Sequence, residues 1–295
     1  MQRAGFLQTL PLIKDIQEFQ PGSTIWCLRH LPDCIKICDM EKKYITEGIC
    51  LNGGRSRVCF NPAEKFLFYM HNNRESISIP LDYRNISVEN HTITFGKEKR
   101  ARVVEHLFST LYGLNIFNIR IDLYGDELPF FDGSSRDFVR LLRDFPGQKD
   151  TAVFKIRKNI IVQDNDSFIL FEPEDAQLFI DMELNHPYIG IQKIFLAITT
   201  ENYIKEISPA RTFVFTDESD PRIKKLPPYG IGITPEKIYS SEPLRFPDEP
   251  VRHKVLDLLG DLYVFRKKLC GRIKAKNISH KLNLEFVRQI ASIAE

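Results

Sequence analysis

Apolar residues in this chain follow two rhythms that alternate along its length. From Lys42 they fall in short runs, several interleaved with polar residues: YITEGIC, RSRVCF, FLFYMH, SISIPL and HTITF. Such runs predict strands joined as hairpins, with Asn52-Gly53-Gly54 as a turn. Over RVVEHLFSTLYGL (102–114) the spacing lengthens to that of a helix. NIRIDLYG then reads as a strand and Asp132-Gly133 as a tight turn. A helix capped by Ser134 or Ser135 runs on to about Phe145.

The second half repeats the style after a linker candidate, PGQKD at 146–150. TAVFKIRKNIIV, SFILFEP, LFIDMELN, QKIFLAI and ARTFVF read as strands, and TTENYIKEI as a short helix capped by Thr199 or Thr200. Residues 217–250 are rich in Pro, Gly and charge, which predicts a long irregular excursion. A helix over 249–262, a strand LCGRIKAK and a helix over LNLEFVRQIAS close the chain. Strands outnumber helices, and helices come in pairs after groups of strands. That is an α+β layout, with sheets covered on one face by helices. A length of 295 residues suits two domains, taken as 1–147 and 151–295. His106 precedes Gly113, and His253 precedes Gly260, at the same offset. Each helix then leads into an apolar strand, so the halves read as similar units meeting through their helices.

Composition narrows the function. Apolar residues make up 43% and charged residues 27%, as in an ordinary globular protein. A net charge of +2 aims no strong field at nucleic acid, so no such partner is expected. No apolar run approaches the roughly 18 residues of a membrane span, so no stable insertion is expected either. The stretch MQRAGFLQTLPLIKDIQEF lacks the apolar core of a signal peptide, and a cytoplasmic location is expected. Of six cysteines, five lie in the first sixty residues, at 27, 34, 38, 50 and 59. They read as free thiols of a reducing compartment. His30, Cys34 and Cys38 could form a metal site, but DCIKICD reads better as a strand and paired CxxC knuckles are absent.

Chemistry concentrates in VRHKVLDLLGD (251–261). His253 and Asp257 are four apart on a helix and project from one face. Glu105 and His106 sit on the helix at 102–114. Two His, one Asp and a spare Glu are the parts of a hydrolytic zinc site: three ligands, an open position for water, and a carboxylate to take its proton. Each fragment alone also reads as an ion-paired surface or a satisfied core histidine. Asp261 continues the stripe of His253 and Asp257. Lys254, Thr212 and His280 lie in neighbouring segments. From Leu262 to Leu284 there are basic residues (Arg266, Lys267, Lys268, Arg272, Lys274, Lys276, Lys281) and no acidic one. That suits a phosphate-bearing substrate, or a solvated basic surface.

The chain resembles the UDP-3-O-acyl-N-acetylglucosamine deacetylases, zinc amidases of lipid A synthesis. The matching stretches are GICLNGG…NPA (48–63), VEHLFSTLYGL (104–114), GDELPFFDGSSRDFV (125–139), LNHP (184–187), SPARTFVF (208–215), LRFPDEPVRHKVLDLLGDL (244–262) and ISHKLN (278–283). They occur in family order. The resemblance implies two similar α+β domains, each a sheet with two helices, the helices sandwiched between the sheets and the site between the domains. It implies His106, His253 and Asp257 as zinc ligands, and Glu105 as the base that deprotonates the attacking water. It implies His280 as the acid for the amine leaving group, Asp261 tuning it, and Thr212 steadying the oxyanion. Lys254 and Phe213 would touch a UDP-linked acylated amino sugar. The segment Ile191 to Ile207 is the candidate lining of the acyl passage.

Five positions depart from the family pattern: Asn52 for a His, Val104 for a Thr, Phe117 for an Asp, Asn277 for a Lys and Ser279 for a Gly. The ligands, the acid and the base are all present. The expected activity is release of acetate from UDP-3-O-acyl-N-acetylglucosamine by a monomer. A paralogue acting on another N-acyl amino sugar, or a silent binding module, are the alternatives.

Overall fold

A computed structural model describes residues 44–294, apart from 73–74, 90, 147–152, 222, 224–225 and 227. The His30/Cys34/Cys38 cluster, its DCIKICD strand and most of the linker candidate lie outside the described residues.

The first half holds β1 (Ile45–Ile49), β2 (Arg55–Pro62), β3 (Leu67–His71), β4 (Ser76–Ser78), β5 (Ile86–Glu89), β6 (Thr92–Phe95) and β7 (Ala101–Arg102). Then come α1 (Glu105–Gly113), β8 (Ile119–Tyr124) and α2 (Arg136–Leu142). The second half holds β9 (Val153–Phe154), β10 (Ile160–Asp164), β11 (Ser167–Glu172), β12 (Leu178–His186) and β13 (Gly190–Ala197). It continues through α3 (Thr200–Asn202), β14 (Phe213–Phe215), β15 (Ile231–Ile233), β16 (Ile238–Tyr239), α4 (Glu249–Leu262), β17 (Lys268–Leu269), β18 (Gly271–Lys276) and α5 (His280–Ala294).

Among the described residues the two large sheets have one topology. Their orders are β1-β2-β8-β3-β4 and β10-β11-β18-β12-β13. Neighbours are antiparallel except β3 with β8 and β12 with β18, which run parallel. In both halves the central strand follows a long helix and slots between strands laid down earlier. The repeat hinted at by the His-to-Gly spacing is therefore a repeat of architecture. Asn52-Gly53-Gly54 does turn β1 into β2, with Gly53 at φ 81, where a side chain would be strained.

Several boundaries differ from the sequence reading. The helix expected from residue 102 starts at Glu105, because Ala101–Arg102 pair with β6 and the Val103 amide donates to the Ile93 carbonyl at 2.9 Å. Val103 takes φ 59, a left-handed value that a β-branched residue rarely adopts. This turn swings the chain into α1. TAVFKIRKNIIV is two strands, since β9 pairs with β17 and only Ile160–Asp164 joins the large sheet. The excursion at 217–250 contains β15 and β16, which form a small sheet with β14. Gly232 leaves room there for Ile223, whose side chain would stand 2.8 Å from an added β-carbon. Ser135 occupies the cap position of α2, but its hydroxyl donates elsewhere, and the Arg136 amide donates to the Ser134 hydroxyl at 3.3 Å. Thr199 caps α3 as expected, accepting from the Asn202 amide at 3.1 Å.

The apolar faces of both large sheets and the helices share one continuous core, running from Phe68 and Ile121 through Leu107, Phe108 and Leu258 to Phe171 and Ile273. Where α1 and α4 cross, Gly260 lies against the start of α1. A β-carbon at Gly260 would stand 2.4 Å from the Glu105 carbonyl oxygen. Gly113, its counterpart in the repeat, lies instead on the Tyr203 ring, 2.2 Å from an added β-carbon.

Gly260→Ala therefore has a predicted sign. In a free helix Ala is favoured over Gly by about 1 kcal/mol. At this crossing the added methyl must push α4 off α1, and overpacking of this kind costs about 1–3 kcal/mol. A thermal melt should show a lower midpoint. A raised midpoint would mean that the two helices part freely.

Candidate active site

Three potential ligands come together from the two halves. His106 is the second residue of α1, while His253 and Asp257 lie one turn apart on α4. One ligand atom from each lies within 4.8 Å of the others, and all three residues are buried. The imidazoles of His106 and His253 stand 5.2 Å apart, centroid to centroid, with their planes at 85°.

The donor set fits a cation. His253 Nδ1 lies 3.1 Å from the Ala210 carbonyl oxygen, so in the neutral ring that nitrogen carries the proton. Nε2 then holds a lone pair, and it faces Asp257 Oδ1 at 3.3 Å. Two acceptors that close call for a positive charge between or beside them. Burial, with His253 next to it, pushes the His106 imidazole down to about 3, so it too offers a lone pair at neutral pH. Burial alone would protonate Asp257, but His253, Lys254 and His280 outweigh it and hold the carboxyl well below its usual range. Two imidazoles and one carboxylate are a common donor set for a catalytic divalent metal.

Glu105 is the first residue of α1. Its carboxylate accepts from the Ile93 amide of β6 at 3.1 Å. Burial pushes its carboxyl up to about 8, partly opposed by the charge of His280. His280 is the first residue of α5, not part of the loop before it. Its Nδ1 is 2.8 Å from Asp261 Oδ2 and its Nε2 is 3.8 Å from Asp257 Oδ1. Burial would lower its pKa, yet the Asp261 and Asp257 carboxylates prevail and raise it to about 9. The ring is thus anchored through Nδ1 and presents Nε2, as an N–H donor, toward the ligand cluster.

Lys254 donates to Asp257 Oδ2 at 3.1 Å, and its ammonium lies 5.4 Å from the centroid of the Phe213 ring. Phe213 in turn lies 6.2 Å from the His253 ring. Thr212 is half-buried, with its methyl group packed toward Gly133 and Gly230. Its amide donates to the Gly133 carbonyl at 2.7 Å. Lys254 and Phe213 thus lie beside the ligand cluster, and Thr212 directly precedes Phe213.

Three members of the basic stretch face away from the helices, in line with the reading of a solvated basic surface. Alternation along β18 buries Ile273 and Ala275 on the helix side and turns Arg272, Lys274 and Lys276 to the other face. There they pair with Glu174 (3.3 Å), Glu172 (2.9 Å) and Glu183 (3.5 Å). The Ile191–Ile207 segment is divided between surface and core, with Ile191 and Phe195 exposed. Ile194 and Ile198 are buried in the core, Tyr203 and Ile207 are wholly enclosed, and the Tyr203 hydroxyl hydrogen-bonds to Ser109.

Residues without an assigned role in the sequence turn out to organise the site. Asn283, one turn after His280, donates to Asp261 Oδ2 at 2.8 Å and fixes that carboxylate. Ser135 donates to the His106 carbonyl at 2.9 Å. Arg211, 1% exposed, forms a buried pair with Glu249 in the first turn of α4 (Nε to Oε1, 2.8 Å). The only prior signal for Asn283 was its place in the family-like stretch ISHKLN, since the helix predicted over LNLEFVRQIAS began after His280.

The departures from the family pattern have structural uses. Asn52 folds back to accept from the Gly54 amide at 2.7 Å, and Phe117 stacks on Tyr263 at 5.5 Å. Asn277 takes a left-handed φ of 50 and accepts from the Asn185 amide at 2.7 Å. The Ser279 hydroxyl accepts from the Leu282 amide at 3.4 Å, at the start of α5. Val104 is fully buried ahead of Glu105.

The sequence model of the UDP-3-O-acyl N-acetylglycosamine deacetylase family matches residues 39–292. Proteins called UDP-3-O-acyl-N-acetylglucosamine deacetylase are similar over most of their length. That of Aquifex aeolicus is 31% identical over 85% of this chain and 92% of the relative. That of Sulfurimonas denitrificans is 34% identical over 87% of this chain and 92% of the relative. That of Syntrophotalea carbinolica is 30% identical over 87% and 88%.

Proposed function

The chain belongs to the UDP-3-O-acyl N-acetylglycosamine deacetylase family, and from that membership we propose a division of labour among its site residues. The protein is an enzyme that removes the N-acetyl group of UDP-3-O-acyl-N-acetylglucosamine in lipid A synthesis. His106, His253 and Asp257 are the zinc ligands. The carrying observation is that their ligand atoms, drawn from helices of different halves, lie within 4.8 Å of one another. Bound there, zinc would polarise the acetamide carbonyl, lower the pKa of water to about 7 and help keep the Glu105 carboxyl ionised.

Glu105 takes the proton from the attacking water. The Thr212 hydroxyl donates to the oxygen that gains charge as the carbonyl carbon becomes tetrahedral. His280 gives the proton on Nε2 to the departing nitrogen, because an amide anion is too poor a leaving group to depart unprotonated. Asp261 keeps the ring charged and oriented through Nδ1, and Asn283 holds Asp261. Lys254 and Phe213 form the side of the site that meets the UDP-sugar. Burial of Glu105 and His280 keeps bulk water from competing for either proton.

We further take 1–147 and 151–295 as the two domains, a division supported by the repeated strand order. No helix among the described residues is long and apolar enough to cross a membrane. A cytoplasmic setting draws support from Cys50 and Cys270, which are buried free thiols. A monomer draws support from a ligand set completed within one chain.

Purified protein should contain about one zinc per chain. It should release acetate from UDP-3-O-acyl-N-acetylglucosamine far faster than from UDP-N-acetylglucosamine. Protein without zinc, or with equal rates on both sugars, would overturn the reading.

A further inference from the structure

A metal site divided between two halves works only if the halves keep their spacing. Metal–ligand distances tolerate about 0.2 Å. The packing of α4 on α1, closest at Gly260 and Glu105, brings the two ligand-bearing helices together. A polar attachment between the halves is built from the turn at 132–135 and the segment 208–212.

Its centre is Arg245, 12% exposed. One arm of the guanidinium donates to Asp132 Oδ2 at 2.7 Å, across to the first half. The other donates to the Pro209 carbonyl at 2.7 Å, in the second half. The Arg245 amide donates to Glu249 Oε2 at 2.7 Å, which ties it to the first turn of α4. Around it the two segments are stitched by backbone: the Ser135 amide to the Ser208 carbonyl at 3.0 Å, and the Thr212 amide to the Gly133 carbonyl at 2.7 Å. Gly133 sits at φ 79, and a β-carbon there would stand 2.6 Å from the Tyr229 carbonyl oxygen, so the turn can seat only with glycine.

Both ends of this assembly reach a histidine. Ser135 donates to the His106 carbonyl at 2.9 Å. The Ala210 carbonyl, one residue past Pro209, faces His253 Nδ1 at 3.1 Å. The path from one imidazole-bearing residue to the other therefore runs through His106, Ser135, Ser208, Ala210 and His253, and Arg245 clamps both strands of it. A guanidinium that spans a carboxylate on one side and a carbonyl on the other, in a rigid fork, fixes orientation as well as distance.

We propose that the Arg245–Asp132 pair is a latch that sets the His106–His253 geometry and so determines metal affinity; Arg245 is a positioning residue and not a catalytic one. The proposal rests on the assignment of His106 and His253 as ligands. Outer partners of metal ligands change affinity by roughly 10–100-fold when removed.

The test measures zinc affinity by competition with a chromogenic chelator in Arg245→Met, Asp132→Asn, the double variant and Arg245→Lys. A far-ultraviolet circular dichroism melt of each metal-free protein accompanies it. Each single variant should lose at least roughly tenfold in zinc affinity. The double variant should lose no more than the worse single, because both remove one latch. Lys at 245 should recover part of the loss. In zinc-saturated protein kcat should fall by much less than the affinity does. Wild-type zinc affinity in the single variants, or losses that multiply in the double, would overturn the latch. A variant whose metal-free melt has collapsed would also count against it, since Arg245 would then be serving overall stability; Asp132→Asn, the mildest change, decides that case. His253→Ala runs alongside. If it binds zinc normally the ligand assignment fails, whereas its loss beside intact Arg245→Met refutes only the latch.

Discussion

Glu105→Gln should retain its zinc and lose turnover by about 10²–10⁴-fold, the usual worth of a positioned base. Glutamine can still accept from the Ile93 amide, which Glu105 does now at 3.1 Å, so the start of α1 should stay in place. What it cannot do is take a proton. The expected signature is unchanged zinc stoichiometry, an almost unchanged KM and a collapsed kcat. Loss of the metal in this variant would make Glu105 a ligand and would redraw the site.

Asp257→Ala should do the reverse, with metal retention failing first. Asp257 supplies the only carboxylate of the ligand cluster, and it also faces His253, Lys254 and His280. Its removal leaves three nitrogen groups without their shared counter-charge. Zinc affinity should fall by more than the roughly 10–100-fold typical of outer partners. Asp257→Asn separates charge from shape: it keeps an oxygen near His253 but drops the negative charge, and should lie between. Competition against a graded chelator series measures this directly. A stoichiometry that survives the strongest chelator in both variants would refute the assignment of Asp257.

What the sequence made legible follows from distance along the chain. His253, Asp257 and Asp261 were readable because one helix face displays them at four-residue steps. Glu105 and His106 were readable as neighbours on an apolar helix. The family motifs then linked the two helices. Arg245 and Asp132 lie 113 residues apart, and no local period joins a turn to a Pro-rich excursion. The basic stretch stayed ambiguous because sequence shows sign and not partners. Strand alternation sent Arg272, Lys274 and Lys276 to a face where acidic side chains of neighbouring strands were waiting. Val103 obscured the start of α1 because apolar periodicity carries no information about a left-handed turn.

The repeated topology has a consequence for biosynthesis. In each half the strand at the middle of the sheet is made last, after the helix that carries the ligands. Until β18 leaves the ribosome, the hairpins β10–β11 and β12–β13 have nothing between them, and each would expose unpaired edges. The residue that begins α5, His280, follows that closing strand within a few positions. The proton donor is thus delivered only when the second sheet can zip shut. A nascent chain stalled before Gly271 should be protease-sensitive throughout its second half, which pulse proteolysis of stalled translation products can read.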